Sequence, residues 1–354
     1  MGGTTEDRLL DIRGLRTHFF TDSGVVRAVD GVDLWVGHRE ILGIVGESGC
    51  GKTMLARSIL RIVPKPGAVV SGSIELEGND LLALSDPQMR KIRGDAVSMV
   101  FQEPMVSLNP VYRVGNQIGE VLTAHGKTGR SAERKERVVE LLRMVGIPSP
   151  ETRFACYPYE LSGGMRQRVV IAMALACGNP RLLIADEPTT ALDVTIQAQI
   201  LDLFKRLQAE LGMSMIMITH DLGVISETAN RVVVMYAGSV VEQAPVRTLF
   251  ENPLHPYTQG LMRSLPRKGR DARKGRLYTI SGTVPDLLGL QPGCKFVNRC
   301  PHAKVEICGG KEPPLRDCGD GHWVRCARLG EIPGGDLANT GSVYGDSAAK
   351  DGPT

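Results

Sequence analysis

The sequence predicts an α/β fold: a phosphate-loop core with a mostly parallel sheet and flanking helices, an N-terminal antiparallel β-layer, a helical subdomain and a small cysteine-rich C-terminal extension. Three observations carry that prediction. The apolar run Ile41–Val45 leads directly into Gly46–Thr53, GESGCGKT, and then into the helix-like stretch TMLARSILRIV. A second apolar run, Leu182–Ala185, ends in Asp186 and Glu187. A third, Met215–Ile218, stands just before His220. Short apolar runs alternating with helical segments are the pattern of parallel strands covered on both faces.

The elements follow in chain order. Residues Leu9–Leu42 alternate apolar and polar side chains in strand-like pieces, with a turn at Thr21-Asp22-Ser23-Gly24, which predicts the antiparallel layer. Gly46–Thr53 fits G-x-x-x-x-G-K-[ST] in full. Gly46, Gly49 and Gly51, with Ser48 and Cys50 between them, let the backbone curl so that its N–H groups point at an anion. The helix beginning near Lys52 adds its positive end. Lys52 is then expected on the β- and γ-phosphates of a nucleotide, and the Thr53 hydroxyl on Mg²⁺. Residues Asp86–Met165, rich in Arg, Glu and Leu at helical spacing, predict the helical subdomain, broken at Pro148 and Pro150. The string Leu161–Met165, LSGGM, opens another helix, so Ser162, Gly163 and Gly164 form a second anion-binding helix start. Arg181–Met235 returns to strand, helix and strand. Asp186 and Glu187 leave a strand's carboxyl end, where ligands bind in open α/β sheets. Asp186 is assigned the metal side and Glu187 the general base that polarises water.

These strings resemble the ATP-binding-cassette ATPases, over roughly Leu9 to Pro266, and the resemblance implies a P-loop ATPase using ATP and Mg²⁺. LSGG at Leu161–Gly164 is similar to that family's signature, which caps the γ-phosphate of ATP held by another subunit; Met165 departs from the usual Gln. One chain thus holds two half-sites that cannot face each other, and two chains must pair head to tail. The resemblance also implies Gln102 as the glutamine that touches Mg²⁺ and the attacking water, His220 as the histidine on the γ-phosphate, and Asp193 as the aspartate that crosses the dimer interface. Phe19, with Phe20 second, is the expected aromatic on adenine.

Two further strings, FQEPMVSLNPVYRVGNQI at Phe101–Ile118 and FENPLHPYTQGLMRSLP at Phe250–Pro266, resemble the ATP-binding subunits of oligopeptide and dipeptide permeases and the related nickel importers. That resemblance implies two transmembrane permease subunits, a second ATP-binding subunit (identical or different) and an extracytoplasmic solute-binding protein. The expected place is peripheral, on the cytoplasmic face of the cell membrane. Import of nickel or another small solute is the alternative. A soluble cassette ATPase acting on nucleic acid is the rival class, but neither a coiled-coil insertion nor a second phosphate loop is present.

Five of the eight cysteines fall after residue 290: Cys294, Cys300, Cys308, Cys318 and Cys326. Clustering of this kind favours metal or redox chemistry over disulfides in a reducing compartment. No tight C-x₂–₄-C pair occurs, which counts against an ordinary zinc site, and widely spread thiolates suit an iron–sulfur cube. Cys294, Cys300, Cys308 and Cys326 are the expected ligands of a [4Fe-4S] cluster, which the permease resemblance also implies. Zn²⁺, with His302 or His322 replacing a cysteine, and unliganded thiols remain alternatives. Cys50 reads as a tolerated position in the loop, and Cys156 and Cys177 as core.

The composition fits this reading. A net charge of +3 is too small to imply a nucleic acid partner. No apolar stretch approaches the roughly 18–20 residues of a membrane span, and the polar N-terminus lacks the core of a signal peptide. The expected organisation is a cassette over 1–266, with its helical subdomain at about 86–165. A cysteine-rich region over 267–330 follows, with Lys268–Arg276 as a solvated linker, then a disordered tail over 331–354.

Overall fold

The computed structural model describes residues 7–102, 107–190, 192–265 and 278–332. The basic linker and nearly all of the expected tail lie outside them. Strands β1 (Arg8–Thr21) and β2 (Gly24–Gly37) form a hairpin closed where Thr21 meets Gly24, at the turn read from the sequence. The two strands are each 14 residues long rather than short pieces. Shifts of register, for example between Ile12 and Leu15, make this possible. Each bulge resets which side chains face inward, so Leu10, Ile12, Leu15 and Thr17 all reach the core. After β3 (Ile41–Val45), strand β4 (Gly67–Leu76) pairs with β1, and β5 (Asn79–Asp80) completes an antiparallel sheet in the order β2-β1-β4-β5.

The second sheet uses β3 together with β6 (Val97–Val100), β7 (Leu182–Asp186), β8 (Ser214–Ile218), β9 (Arg231–Tyr236), β10 (Ser239–Pro245), β11 (Arg316–Asp317) and β12 (Trp323–Val324). Its order is β11-β12-β10-β9-β3-β8-β7-β6. The pairs from β9 through β6 are parallel, while β10, β12 and β11 join antiparallel. Residues on successive positions serve two cores. Leu42, Ile44, Ile184, Ile216 and Val233 pack toward the hairpin layer, and Ile41, Val45, Leu183, Met215 and Val232 toward the opposite face. Burial on both faces is why these runs read as unbroken hydrophobic strings.

The segment from Asp86 to Met165, expected as mostly helical, also holds β6, which pairs with β7. Four residues are too few to show a period, and Val97-Ser98-Met99-Val100 takes its strand conformation from that pairing. Helix α1 (Lys52–Ile59) follows the phosphate loop and α2 (Asp86–Ile92) precedes β6. The helical part proper contains α3 (Val114–Ala124) and α4 (Ser131–Met144), and leads to α5 (Gly163–Ala174) after the LSGG string. Helices α6 (Val194–Leu211), α7 (Leu222–Thr228) and α8 (Pro256–Arg263) complete the cover. Among the described residues no helix is long and apolar enough to cross a membrane.

The cysteine-bearing segment is continuous with the main sheet. Trp323 and Val324 pair with Gln243 and Glu242 of β10. Phe296, 2% exposed, enters the same core as β9, its ring 5.1 Å from that of Tyr236 and 5.4 Å from that of Tyr257.

Candidate active site

Four neighbouring strands deliver the expected residues to one edge. In spatial order β6, β7, β8 and β3, their carboxyl ends carry Gln102, Asp186 with Glu187, His220, and the phosphate loop. The loop is shaped by its glycines. Gly51 has φ 105°, and a Cβ there would stand 2.2 Å from the carbonyl oxygen of Ala28; Gly46, at φ 154°, would meet the carbonyl of Met235 at 2.3 Å. Only glycine fits at either position. Gly49 differs from these two. It is exposed, like Ser48 before it, and a Cβ there would meet no atom within 4 Å, so its φ of 80° alone favours glycine. Cys50 is buried and points inward, away from the open side of the loop: a Cβ on Gly46 would stand 2.7 Å from its Sγ. Helix α1 starts at Gly51 with no side chain capping it there, and its positive end faces the loop.

Lys52 is almost fully buried and donates to the carbonyls of Gly46 (2.7 Å) and Glu47 (3.0 Å). The Thr53 hydroxyl lies 3.2 Å from Asp186 Oδ1. Burial raises the pKa of Asp186, the Thr53 hydrogen bond lowers it, and Glu187 raises it again. A hydroxyl beside a buried carboxylate is the oxygen pair that a hard cation takes. Such a cation would supply positive charge that offsets the burial of Asp186, so the donor set fits Mg²⁺.

Glu187 sits at φ 45°, rare for a residue with a side chain, and its N–H donates to Ile218 O at 2.9 Å. One carboxylate oxygen, Oε2, receives Gln102 Nε2 at 3.0 Å and Thr190 Oγ1 at 2.9 Å, with His220 Nδ1 at 3.5 Å. Glu187 is thus oriented by three side chains. Thr190 escaped the sequence reading, although its place three residues after Glu187 was a signal that could have found it. Beside this group a cavity of about 600 Å³ is lined by Thr53, Arg57, Phe101, Gln102, Met173 and Asp186.

The signature residues form a separate group. Ser162 caps α5, its hydroxyl accepting from Met165 N at 3.3 Å. A Cβ on Gly163 would stand 3.6 Å from Leu192, and one on Gly164 would stand 2.6 Å from Ile196. Leu161 is buried and Met165 half-buried. Asp193 caps α6, accepting from Ile196 N at 2.9 Å. So the LSGG turn and the Asp193 turn pack against each other. Of the two adenine candidates, Phe19 is half-buried with its ring against Gly67, and Phe20 is 52% exposed.

Toward the C-terminus, Cys308 and Cys326 are buried and Cys294 and Cys300 half-buried. The Cys294 thiol is pushed up to about 11, chiefly by burial, against the lowering effect of the Phe296 N–H and with smaller contributions from Cys326, Cys308 and Cys300. Cys300 is raised by burial and then by Cys326 and Cys308. These four are neighbours, whereas exposed Cys318 is raised by burial, Asp317 and Glu242. Among the described residues no three His, Cys, Asp or Glu side chains are gathered as a group able to hold a metal ion. His322 is not free to replace a cysteine: its Nε2 lies 2.7 Å from the fully buried carboxylate of Glu242.

The sequence reading also missed a contact across the fold. Arg299 bonds both carboxylate oxygens of Glu47 in the phosphate loop, at 2.6 and 3.0 Å. Only Cys300, next to it, had been singled out.

Comparison with known proteins places this geometry. A family profile described as ABC transporter matches residues 29–190, and one described as oligopeptide/dipeptide transporter, C-terminal region, matches 241–308. A probable peptide ABC transporter ATP-binding protein of Sinorhizobium fredii is 53% identical, covering 92% of this chain and 96% of that protein. The oligopeptide transport ATP-binding protein of Bacillus subtilis is 51% identical over 90% of this chain and 96% of its own length. A dimeric ATP-binding cassette in a post-hydrolysis state with ADP and Pi superposes with a TM-score of 0.60. It is 28% identical and covers 67% of this chain and 99% of the solved one.

Proposed function

The chain belongs to the ATP-binding-cassette transporter ATPases, in the branch with the oligopeptide/dipeptide transporter C-terminal region, and on that premise we propose that it hydrolyses ATP to drive peptide import. The observation that carries this reading is the convergence on Glu187 Oε2 of Gln102, Thr190 and His220, beside the Thr53–Asp186 pair. In the proposed reaction Glu187 accepts a proton from water aimed at the γ-phosphate. Gln102 orients that water, and Thr190 and His220 hold the carboxylate in place. Lys52 leaves the carbonyls of Gly46 and Glu47 for the phosphates, and the N–H groups at the start of α1 face the remaining negative charge. Thr53 and Asp186 would hold Mg²⁺, which neutralises charge on the phosphates. His220, 63% exposed at its side chain, is open to a γ-phosphate.

Ser162, Gly164 and Asp193 of a second ATP-binding subunit would close the site, because their own chain points them elsewhere. Two permease subunits, with a solute-binding protein outside, complete the proposed assembly at the cytoplasmic face of the membrane. The test is ATP-dependent uptake of a labelled dipeptide by the assembled transporter in vesicles. Glu187→Gln should bind ATP while hydrolysis and uptake fall by about a hundredfold or more, as expected for loss of a general base. Normal turnover by that variant would remove Glu187 from its role.

We also propose a [4Fe-4S] cluster on Cys294, Cys300, Cys308 and Cys326. The mutual influence of these four thiols supports it, as does the exclusion of Cys318. The spread of the four cysteines over a loop-rich stretch, with no tight C-x₂–₄-C pair, suits a group wider than one zinc ion. Iron and inorganic sulfide, about four of each per chain after anaerobic purification, are the expected result; protein without them would end the proposal.

A further inference from the structure

The phosphate loop is held from the C-terminal segment. Arg299 ends a single helical turn, Val297–Arg299, between Cys294 and Cys300, and its side chain is 5% exposed. Its guanidinium grips both carboxylate oxygens of Glu47. The same group also donates to the carbonyl of Ser281 (3.0 Å) and lies 5.7 Å from the Tyr236 ring and 6.0 Å from that of Phe296. Glu47 is held at a second point, since its backbone N–H donates to the Tyr257 hydroxyl at 2.9 Å. Close by, Lys295 donates to Asp30 (3.0 Å) and Ser239 (2.6 Å), and the neighbouring Gly238 N–H donates to the carbonyl of Cys50.

Two physical effects follow. A loop with three glycines in eight residues loses much conformational entropy when it closes on phosphate. Pinning Glu47 at backbone and side chain removes part of that loss before the nucleotide arrives. Glu47 is also a carboxylate inside a cradle meant for a polyanion. Unpaired, it would repel the phosphates; a bidentate arginine neutralises it and fixes its direction.

We propose that Arg299 is a positioning residue for nucleotide binding: by pairing with Glu47 it preorganises the phosphate loop, so the C-terminal segment sets the nucleotide affinity of its own chain. The inference rests on the reading of Gly46–Thr53 as the nucleotide cradle. It is separable from the hydrolytic mechanism, because it concerns how tightly nucleotide is held before any chemistry.

The experiment measures the Kd for Mg·ADP on the full-length chain, so that no turnover intervenes. Wild type must bind first; if it does not, the cradle reading itself fails and this inference with it. Arg299→Met should weaken Mg·ADP about tenfold, the scale of one charge-assisted contact. Arg299→Lys, which restores charge but not the fork, should recover only part of that. Adding Glu47→Gln to Arg299→Met should make binding no weaker than Arg299→Met alone, since the repelling charge is gone. In the assembled transporter, Arg299→Met should raise the KM for ATP with kcat changed less than about twofold. Unchanged Kd in a folded Arg299→Met chain overturns the proposal. So does a double variant whose losses multiply as for independent sites. Should Arg299→Met not fold, Glu47→Gln alone decides: it breaks the same pair from the other side, so Mg·ADP should bind more than about threefold weaker, and affinity closer to wild type than that overturns the proposal.

Discussion

Two helices of this molecule begin with a glycine-rich turn, and they are built for different moments. Helix α1 starts at Gly51 in a left-handed conformation with no capping side chain, its loop gripped from behind by Tyr257 and Arg299. Helix α5 starts at Ser162 in an extended conformation, and Ser162 itself satisfies the Met165 N–H. The first sits uncapped inside a fixed frame. The second lies on an exposed rim, its serine oxygen accepting from the helix while its O–H stays able to donate to an anion. A ligand meets a turn braced by its own chain at the first, and an exposed, self-capped turn at the second. That difference matches a site filled by nucleotide in one chain and closed by another.

The contrast is most easily broken at its glycines. Gly51→Ala puts a methyl 2.2 Å from the Ala28 carbonyl at a φ of 105°, so nucleotide binding should disappear; clash and backbone strain together cost several kcal/mol, at least ~3. Gly163→Ala meets nothing closer than 3.6 Å and should leave Mg·ADP affinity of the single chain within about twofold. Equilibrium binding to both variants checks the pair, and equal losses would erase the distinction.

Acid should loosen the braced half next. His255, its ring 5.8 Å from that of Phe296 and two residues before Tyr257, is fully buried, and burial lowers its pKa to about 4 despite the facing carboxylate of Glu242; the charge of Arg325 lowers it as well. Its Nδ1 accepts from Tyr257 N at 3.1 Å, which requires that nitrogen to be unprotonated. Because the folded pKa lies below the unfolded value near 6.5, the stabilisation is present above that pH and drains away as pH falls toward 4. At pH 5 the cost is about 2 kcal/mol. Urea unfolding at pH 7 and pH 5 should show it, and His255→Gln should flatten the difference.

The smallest effect belongs to the other turn. Ser162→Ala removes a helix cap worth about 1 kcal/mol. Mg·ADP binding to one chain should hardly change, while ATP-driven pairing of Glu187→Gln chains should weaken about tenfold, as read by sedimentation. Pairing at wild-type strength would show that Ser162 does not contact nucleotide.

What could be read from the sequence was what is local. The phosphate loop, the Thr21–Gly24 turn and the strand ending in Asp186 each lie within a few residues, where steric rules act directly. The three loop glycines looked alike in the string, yet Gly46 and Gly51 are fixed by backbone from Met235 and Ala28, and Gly49 faces open space. That division depends on neighbours the string does not name. Strand β6 was hidden because four residues show no period and its partner is supplied by β7, far along the chain. Bulges made β1 one long strand instead of several short ones. Arg299 was invisible for the same reason at greater range, its partner Glu47 lying 252 residues away. The Glu242–His322 pair, 80 residues apart, likewise forms only once β12 has docked on β10. Cysteines drew the eye to residues 294–326, and the charged side chains between them hold the more direct link to the cradle.

The docking of β12 onto β10 has its own outcome. At one edge of the catalytic sheet the strands β12 and β11 come from far beyond the nucleotide cradle in the chain, and they cover the backbone edge of β10 that would otherwise be open to a passing strand. They also bring the histidine that meets a carboxylate with no access to water. Burial of the β10 edge and of the Glu242 carboxylate therefore depends on a segment that lies well after the cradle in the chain.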